Sequence, residues 1–312
     1  MSKYTPATEP TFYFIGVTTG SSSIMRVFPR WAEALGISPV IKGSDLPRHA
    51  PAADYREAVD FLKHDPLSLG ALVTTHKIDI YNACKDMFDY IDPYAQALHE
   101  VSCFSKRDGL FQAHAKDPIS RGLALQNFVP KGFWEAFGGS VLLLGAGGSS
   151  LSMCLCLTDP SHGGDVPRRI ILANRSQPRL DSARKLLEGR TGDKTEMVYL
   201  LNPTPKDNDR VLASLPPHSL IVNATGLGKA APGSHITDAG QFPPDSLVWE
   251  INYRGDLRFL AQAEAQRTAR GLRVENGWIY FIHGWTQVME EVFGLQLQDK
   301  IPLLSGIAGR TP

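Results

Sequence analysis

Three glycines in four residues, Gly145-Ala146-Gly147-Gly148, follow the apolar run Val141 to Leu144 and precede a second apolar segment, Leu151 to Leu157. The first run reads as a strand buried on both faces and the second as the helix behind it. Glycine at such a turn lets a ligand approach the main chain, and the free amides and positive dipole end of the helix attract an anion. Gly-x-Gly-Gly alone also serves a plain tight turn. In this strand, turn and helix context it predicts a phosphate-binding α/β layer.

The next segment narrows the expectation. Arg169 to Ala173 forms another strand-like run and ends in Asn174-Arg175-Ser176, with Arg179 close behind. A dinucleotide site that takes NAD places a carboxylate here for the ribose hydroxyl. This tip carries two guanidinium groups instead, and their planar forks of donors suit the additional 2′-phosphate of NADP. The alternative, two solvated charges at a helix start, is disfavoured by the helix dipole.

Composition excludes several other classes. With 312 residues, 43% of them hydrophobic, the chain can bury more than one core. Its 32 basic residues balance 32 acidic ones, so no long-range field draws it to nucleic acid or to a membrane surface. No apolar run approaches the roughly 18 residues of a membrane span, and the N-terminus lacks an apolar signal segment, so a soluble, cytoplasmic protein is expected. Cys84, Cys103, Cys154 and Cys156 form no disulfide framework in a chain of this length, and a lone Cys-x-Cys is a poor metal site, so no metal is expected.

Along the chain, strand-like runs at Thr11 to Val17, Val40 to Lys42 and Gly70 to Val73 alternate with helical patterns at Ile24 to Leu35 and Ala53 to Lys63. Val101 to Ser105 and Leu110 to Ala113 flank a hairpin turn, and Asp117-Pro118 opens a helix to about Asn127 with Asp117 as its cap. Later strands are expected at Met197 to Leu201, Ser219 to Asn223, Leu247 to Asn252 and Leu272 to Val274. Helices are expected at Leu180 to Leu187, Arg258 to Thr268 and Gly277 to Phe293. Asp159 to Pro167 reads as a surface insertion without periodicity.

Taken together and in order, these motifs resemble the shikimate/quinate dehydrogenase family over nearly the whole chain. The resemblance implies that Ser21 and Ser23 match the family's Ser-x-Ser, which holds the substrate carboxylate. Gly70 to Lys77 looks like the family's Asn-Val-Thr-x-Pro-x-Lys strand end with one residue deleted, which gives Thr74 and Lys77 the matching places. Asp117 aligns with the aspartate of Asn-Thr-Asp-Gly. Gly145, Ala146, Gly147 and Gly148, then Asn174, Arg175 and Ser176, and finally Asn223 to Gly226 with Thr225, are counterparts of the cofactor-binding elements. Glu250 to Tyr253 looks like Asp-x-x-Tyr, which implies that Tyr253 lies near the nicotinamide.

Departures from the family pattern fall on the side that reads substrate hydroxyls. The family's Val-Asn-Thr is Val101-Ser102-Cys103, the Asn-Thr before the aspartate is Ala115-Lys116, and the glutamine of the last helix falls on Gly284, with Gln287 one turn later. Ser102 and Gln287 are therefore the expected replacements in substrate binding. Lost hydrogen-bonding contacts to substrate hydroxyls shift specificity by several kcal/mol.

Oxidising a secondary alcohol sends a hydride to the nicotinamide and a proton to a base. A lysine at a strand end, partly desolvated and oriented by a carboxylate, can exchange that proton. Lys77 is the expected acid/base and Asp117 its partner, the two meeting at the mouth of an interdomain crevice. His76 is an even candidate for positioning a substrate hydroxyl. His114 and His283 read as core residues, Trp278, Tyr280, Phe281 and Trp285 as a packing face, and Glu290-Glu291 as a solvated edge.

The expectation is an α/β chain of two domains. Residues 1–125, joined by 277–312, would bind substrate, and 130–276 would form a doubly wound Rossmann-type NADP domain. The activity would interconvert a hydroxylated cyclic carboxylic acid and its keto form. Quinate or an unrelated hydroxy acid as substrate, and a sensor of the same fold that has lost turnover, are the alternatives. A small-molecule substrate, no nucleic acid, no membrane, and a monomer or homodimer complete the expectation.

Overall fold

A computed structural model describes residues 4–229 and 231–309. The chain divides into two compact units, residues 1–117 with 282–312, and residues 118–281.

In the first unit, β1 (Thr11–Gly16), α1 (Ile24–Leu35), β2 (Val40–Asp45), α2 (Ala52–His64), β3 (Ser68–Val73) and α3 (Lys77–Cys84) alternate. They are followed by β4 (Tyr90–Ile91), α4 (Pro93–Leu98), β5 (Cys103–Arg107) and β6 (Leu110–His114). The sheet order is β2-β1-β3-β5-β6-β4. β1 is parallel to both β2 and β3, whereas β5 runs antiparallel to β3 and to β6. Every residue of β1 is buried, as an apolar central strand with neighbours on both sides requires. The β5–β6 turn holds Asp108 and Gly109 both at positive φ, the conformation of a two-residue primed hairpin turn. Tyr55, Val59, Ile80 and Phe104 anchor the core on one side of this sheet. Gly70 is a necessity there, because a Cβ on it would stand 2.3 Å from the Phe104 carbonyl oxygen of the neighbouring strand.

The second unit opens with α5 (Asp117–Phe128), which starts at Asp117 itself rather than one residue later, and α6 (Phe133–Phe137). It continues as β7 (Ser140–Leu144), α7 (Gly148–Leu157), β8 (Arg169–Asn174), α8 (Gln177–Leu187), β9 (Glu196–Leu201) and α9 (Pro205–Ser214). β10 (Leu220–Asn223), β11 (Leu247–Glu250), α10 (Arg258–Arg270), β12 (Arg273–Glu275) and the start of α11 (Trp278–Phe293) complete it. Six strands in the order β12-β11-β10-β7-β8-β9 are all parallel. This is a doubly wound sheet whose direction of winding reverses between β7 and β10, and ligands bind outside the strand C-termini at such a point. The segment 159–167 contributes Asp165, whose carboxylate accepts from the amides of Gly132 (2.6 Å), Trp134 (2.9 Å) and Glu135 (3.2 Å), capping α6 from a distant part of the chain.

The chain then returns to the first unit through the end of α11 and through α12 (Ile301–Gly309). There Trp285 meets Phe14 edge-on with centroids 5.1 Å apart, and Trp31 Nε1 donates to the Leu304 carbonyl at 2.8 Å. Among the described residues, no helix is long and apolar enough to cross a membrane.

Candidate active site

Strand direction explains why distant segments converge in the first unit. β1, β3 and β6 all point the same way and β5 the opposite way, so the ends of the first three and the start of β5 share one edge of the sheet. The loop after β1 is fixed by Thr19, whose amide and hydroxyl donate to Asp45 Oδ1 at 2.8 and 2.6 Å. Ser21 is exposed there and donates to the Thr18 carbonyl at 3.0 Å, and Ser23 immediately precedes α1. Thr74 follows β3, with its amide bonded to the Ile15 carbonyl at 3.0 Å.

Lys77 begins α3 and Asp117 begins α5. Their Nζ and Oδ2 form an ion pair in which both side chains are mostly buried, 20% and 13% exposed. The Lys77 carbonyl accepts from the Val101 amide at 3.0 Å, which ties this helix start to the strand edge. A partly desolvated ammonium and carboxylate held face to face can pass a proton to and from a ligand while keeping their own geometry.

Beside this pair lies a second charged cluster. Glu291 receives Lys116 Nζ at 2.5 Å and lies 3.5 Å from both His114 Nε2 and Arg107, while His114 Nδ1 lies 3.6 Å from Asp92. The neighbouring cations, Lys116 first, hold the Glu291 carboxyl below its usual range despite burial. The acidic pair of α11 is therefore not a solvated edge. Its two carboxylates are used inward, Glu290 accepting from the Leu297 amide at 2.7 Å and from Gln287 Nε2 at 2.5 Å. Helical periodicity did not reveal this because the partners are remote in sequence.

Ser102 is buried, and its hydroxyl accepts from the Lys116 amide at 2.7 Å. Gln287 is also buried, and a Cβ added at Gly284 would meet nothing within 4 Å. His76 is fully buried, with Nδ1 3.1 Å from the Tyr55 hydroxyl.

In the second unit the glycine turn occupies the winding reversal. Gly145 has φ +124°, and a Cβ on it would lie 2.7 Å from Thr225 Cγ2 and 3.2 Å from the Ala224 carbonyl oxygen, so no other residue fits. Ala146 is buried, Gly147 precedes α7 with nothing within 4 Å of a Cβ position, and Gly148 begins the ten-residue helix. The free amides at the first turn of such a helix suit a phosphate.

At the end of β8, Asn174 Oδ1 accepts from the Ser176 amide at 2.9 Å, and Arg175 and Arg179 are exposed. Across the reversal, Thr225 Oγ1 lies 2.9 Å from Asn223 Oδ1, 2.7 Å from His235 Nε2 and 3.1 Å from the Leu227 amide. Glu250 is wholly buried behind it and accepts from Asn223 Nδ2 (2.7 Å) and from the amide (2.9 Å) and Nδ2 (2.6 Å) of Asn252. Burial outweighs these donors and raises the Glu250 carboxyl to about 7. Tyr253 packs against Phe281 with centroids 4.8 Å apart and ring planes tilted by 49°, and lies under Lys229 Nζ at 5.8 Å.

Two residues escaped the sequence reading. Arg121, buried in α5, donates to Ser149 Oγ at 3.0 Å in the first turn of α7, and His235 joins the Thr225 network. Neither lies in a motif, so only the fold reveals them.

Two α/β units, one with a lysine–carboxylate pair at a parallel-strand edge and one with a doubly wound sheet and glycine turn, define a dehydrogenase architecture. No protein-family model matches the chain. It is 28% identical over 286 residues to the shikimate dehydrogenase (NADP(+)) of Paramagnetospirillum magneticum, covering 91% of this chain and 92% of that protein. Quinate dehydrogenase from Corynebacterium glutamicum in complex with NAD superposes with a TM-score of 0.74 at 20% identity, covering 96% of this chain and 98% of the other. Shikimate dehydrogenase from Thermus thermophilus in complex with NADP(H) and shikimate gives 0.71 at 20% identity, covering 97% and 99%. Over nearly its whole length the chain is thus similar in sequence to shikimate dehydrogenases, and it shares its fold with shikimate and quinate dehydrogenases.

Proposed function

We propose that this protein is an NADP-dependent oxidoreductase that interconverts a hydroxylated cyclic carboxylic acid and its keto form. The observation that carries the reading is the buried ion pair of Lys77 and Asp117 at the strand edge that also bears Ser21, Ser23 and Thr74. The bound nicotinamide would accept a hydride as NADP+ in oxidation and supply one as NADPH in reduction. Lys77 Nζ then gives a proton to the substrate oxygen in reduction and takes it back in oxidation, while Asp117 keeps the ammonium oriented and stabilises its charged form. Ser21 and Ser23 offer two hydroxyl donors for the substrate carboxylate. In the second unit, the amides at Gly147 and Gly148 would hold the pyrophosphate, and the exposed guanidinium groups of Arg175 and Arg179 would hold the 2′-phosphate.

The residues that would read the substrate ring differ from the family's pattern, so the substrate is shikimate or a related hydroxy acid such as quinate. Support comes from Ser102, whose short hydroxyl is occupied by the Lys116 amide, and from the open space at Gly284. Each occupies a place where the family's pattern has a long side-chain amide.

A panel of cyclic hydroxy acids, shikimate and quinate included, assayed with NADP and NAD side by side, tests the activity. Lys77→Met is expected to lower kcat by at least about 100-fold, the usual contribution of a positioned acid/base, with NADPH binding retained. Arg175→Ala is expected to cut the preference for NADP by about tenfold or more. Full turnover by Lys77→Met, or equal use of both cofactors by the wild type, would refute the corresponding part.

A further inference from the structure

We propose that Ser102 is a positioning residue for Asp117: its hydroxyl fixes the main chain that leads into the aspartate, and it serves the reaction through that carboxylate without touching the substrate. The inference rests on the oxidoreductase reading above and goes beyond it by giving Ser102 a different task from the ring contact that the family resemblance implies.

Ser102 sits where both halves of the ion pair enter the site. Its amide donates to the His114 carbonyl at 2.9 Å, and its own carbonyl accepts from the Val73 amide at 2.9 Å. Val73 ends β3 and leads to Lys77, while His114 ends β6 and leads to Asp117. The neighbouring Val101 amide donates to the Lys77 carbonyl at 3.0 Å, and the Ser102 hydroxyl accepts from the Lys116 amide at 2.7 Å. Two adjacent residues at the entry to β5 thus hold the main chain of Lys77 and that of the residue just before Asp117.

The hydroxyl has little capacity left for a ligand. Ser102 is 3% exposed, and its hydroxyl donates to the His114 carbonyl at 3.4 Å while it accepts from the Lys116 amide. A hydroxyl donates once and accepts twice, so a single lone pair remains. The rest of the approach to Asp117 is fastened in the same manner. Asp92, the cap of α4, accepts from the Ala115 amide at 3.2 Å, and Glu291 of α11 holds Lys116 Nζ at 2.5 Å. Ala115 and Lys116 are the two residues between β6 and Asp117, and each is gripped by a side chain from elsewhere in the unit. Consecutive Cα atoms lie about 3.8 Å apart, so rotation of the peptide between these two residues carries the Asp117 carboxylate with it. A misplacement of about 1 Å at reacting groups can cost about 100-fold in rate.

Steady-state kinetics of the full chain test this with wild type, Ser102→Ala, Asp117→Asn and the double variant. The substrates are the best cyclic hydroxy acid of the panel above and analogues of it that each lack one non-reacting ring hydroxyl. Ser102→Ala is expected to lower kcat by about tenfold or more with KM changed less than about twofold, by the same factor on every analogue, and by far less in the Asp117→Asn background. A residue that reads a ring hydroxyl behaves differently: its loss raises KM and has no effect on the analogue that lacks its hydroxyl. That pattern overturns the inference and leaves the oxidoreductase reading standing, as does an unchanged kcat or an equal loss beside Asp117→Asn. A wild type that turns over no cyclic hydroxy acid with either dinucleotide overturns both. Should Ser102→Ala not fold, Ser102→Cys, which keeps a side chain of similar size with a weaker acceptor, is judged by the same criteria.

Discussion

Removing the charge of Glu250 should change how stability depends on pH. The side chain is wholly buried, and its carboxyl is raised from 4.5 to about 7, chiefly by desolvation. A group whose folded pKa exceeds its unfolded one contributes stability that is complete below the unfolded value and is lost as pH rises through the folded value. The window therefore runs from about 4.5 to 7. At about 1.36 kcal/mol per unit, its 2.5 units correspond to about 3 kcal/mol. Chemical denaturation of wild type and Glu250→Gln at several pH values from 4.5 to 8 measures the effect, with the difference between the two cancelling every other titrating group. That difference should shift against the wild type by about 3 kcal/mol across the window. A flat difference would refute the reasoning, because it would mean that the three donors from Asn223 and Asn252 fully offset burial. Trp249, the residue before Glu250 and itself buried, is a local fluorescence probe for this part of the sheet.

Three further outcomes are expected. Gly145→Ala places a Cβ 2.7 Å from Thr225 Cγ2 at φ +124°, and should cost about 1–3 kcal/mol in thermal or chemical unfolding and abolish dinucleotide binding; near-wild-type binding would contradict the close approach. Glu291→Gln leaves Lys116 facing His114 and Arg107 without its carboxylate, so a loss of about 1–3 kcal/mol is expected in the same assay, and a neutral result would show the cluster to be solvated. Gly284→Ala meets open space in the middle of a helix and should gain about 0.5–1 kcal/mol, while a loss would show that the glycine is needed for close packing.

Much of the fold was legible because buried parallel strands announce themselves. Val141 to Leu144 and Arg169 to Ala173 read as strands and lie inside β7 and β8, and Ile24 to Leu35 coincides with α1. Polar openings hid other helices. α4 and α9 begin at Asp92-Pro93 and Thr204-Pro205, with Asp92 accepting from the Ala95 amide and Thr204 forming a capping box with Asp207. These start signals were present, but the apolar periodicity behind them is short. The pairing of Lys77 with Asp117 was read through motif resemblance. Lys116 and Glu291, 175 residues apart, were not, because nothing local in either segment records its partner. The same holds for His235, which no pattern of spacing distinguishes from a surface histidine.

The carboxylate of Asp165 carries a lesson for anyone reshaping this molecule. The stretch around it looks disposable, being short, polar and aperiodic, and it would be the first target for trimming toward a leaner scaffold. Yet it closes off the amide ends of a helix some thirty positions earlier, so excision would leave that helix to fray from its front turn. A shortened version would need a substitute acceptor grafted at Lys131 or Gly132 before it could be expected to hold its shape.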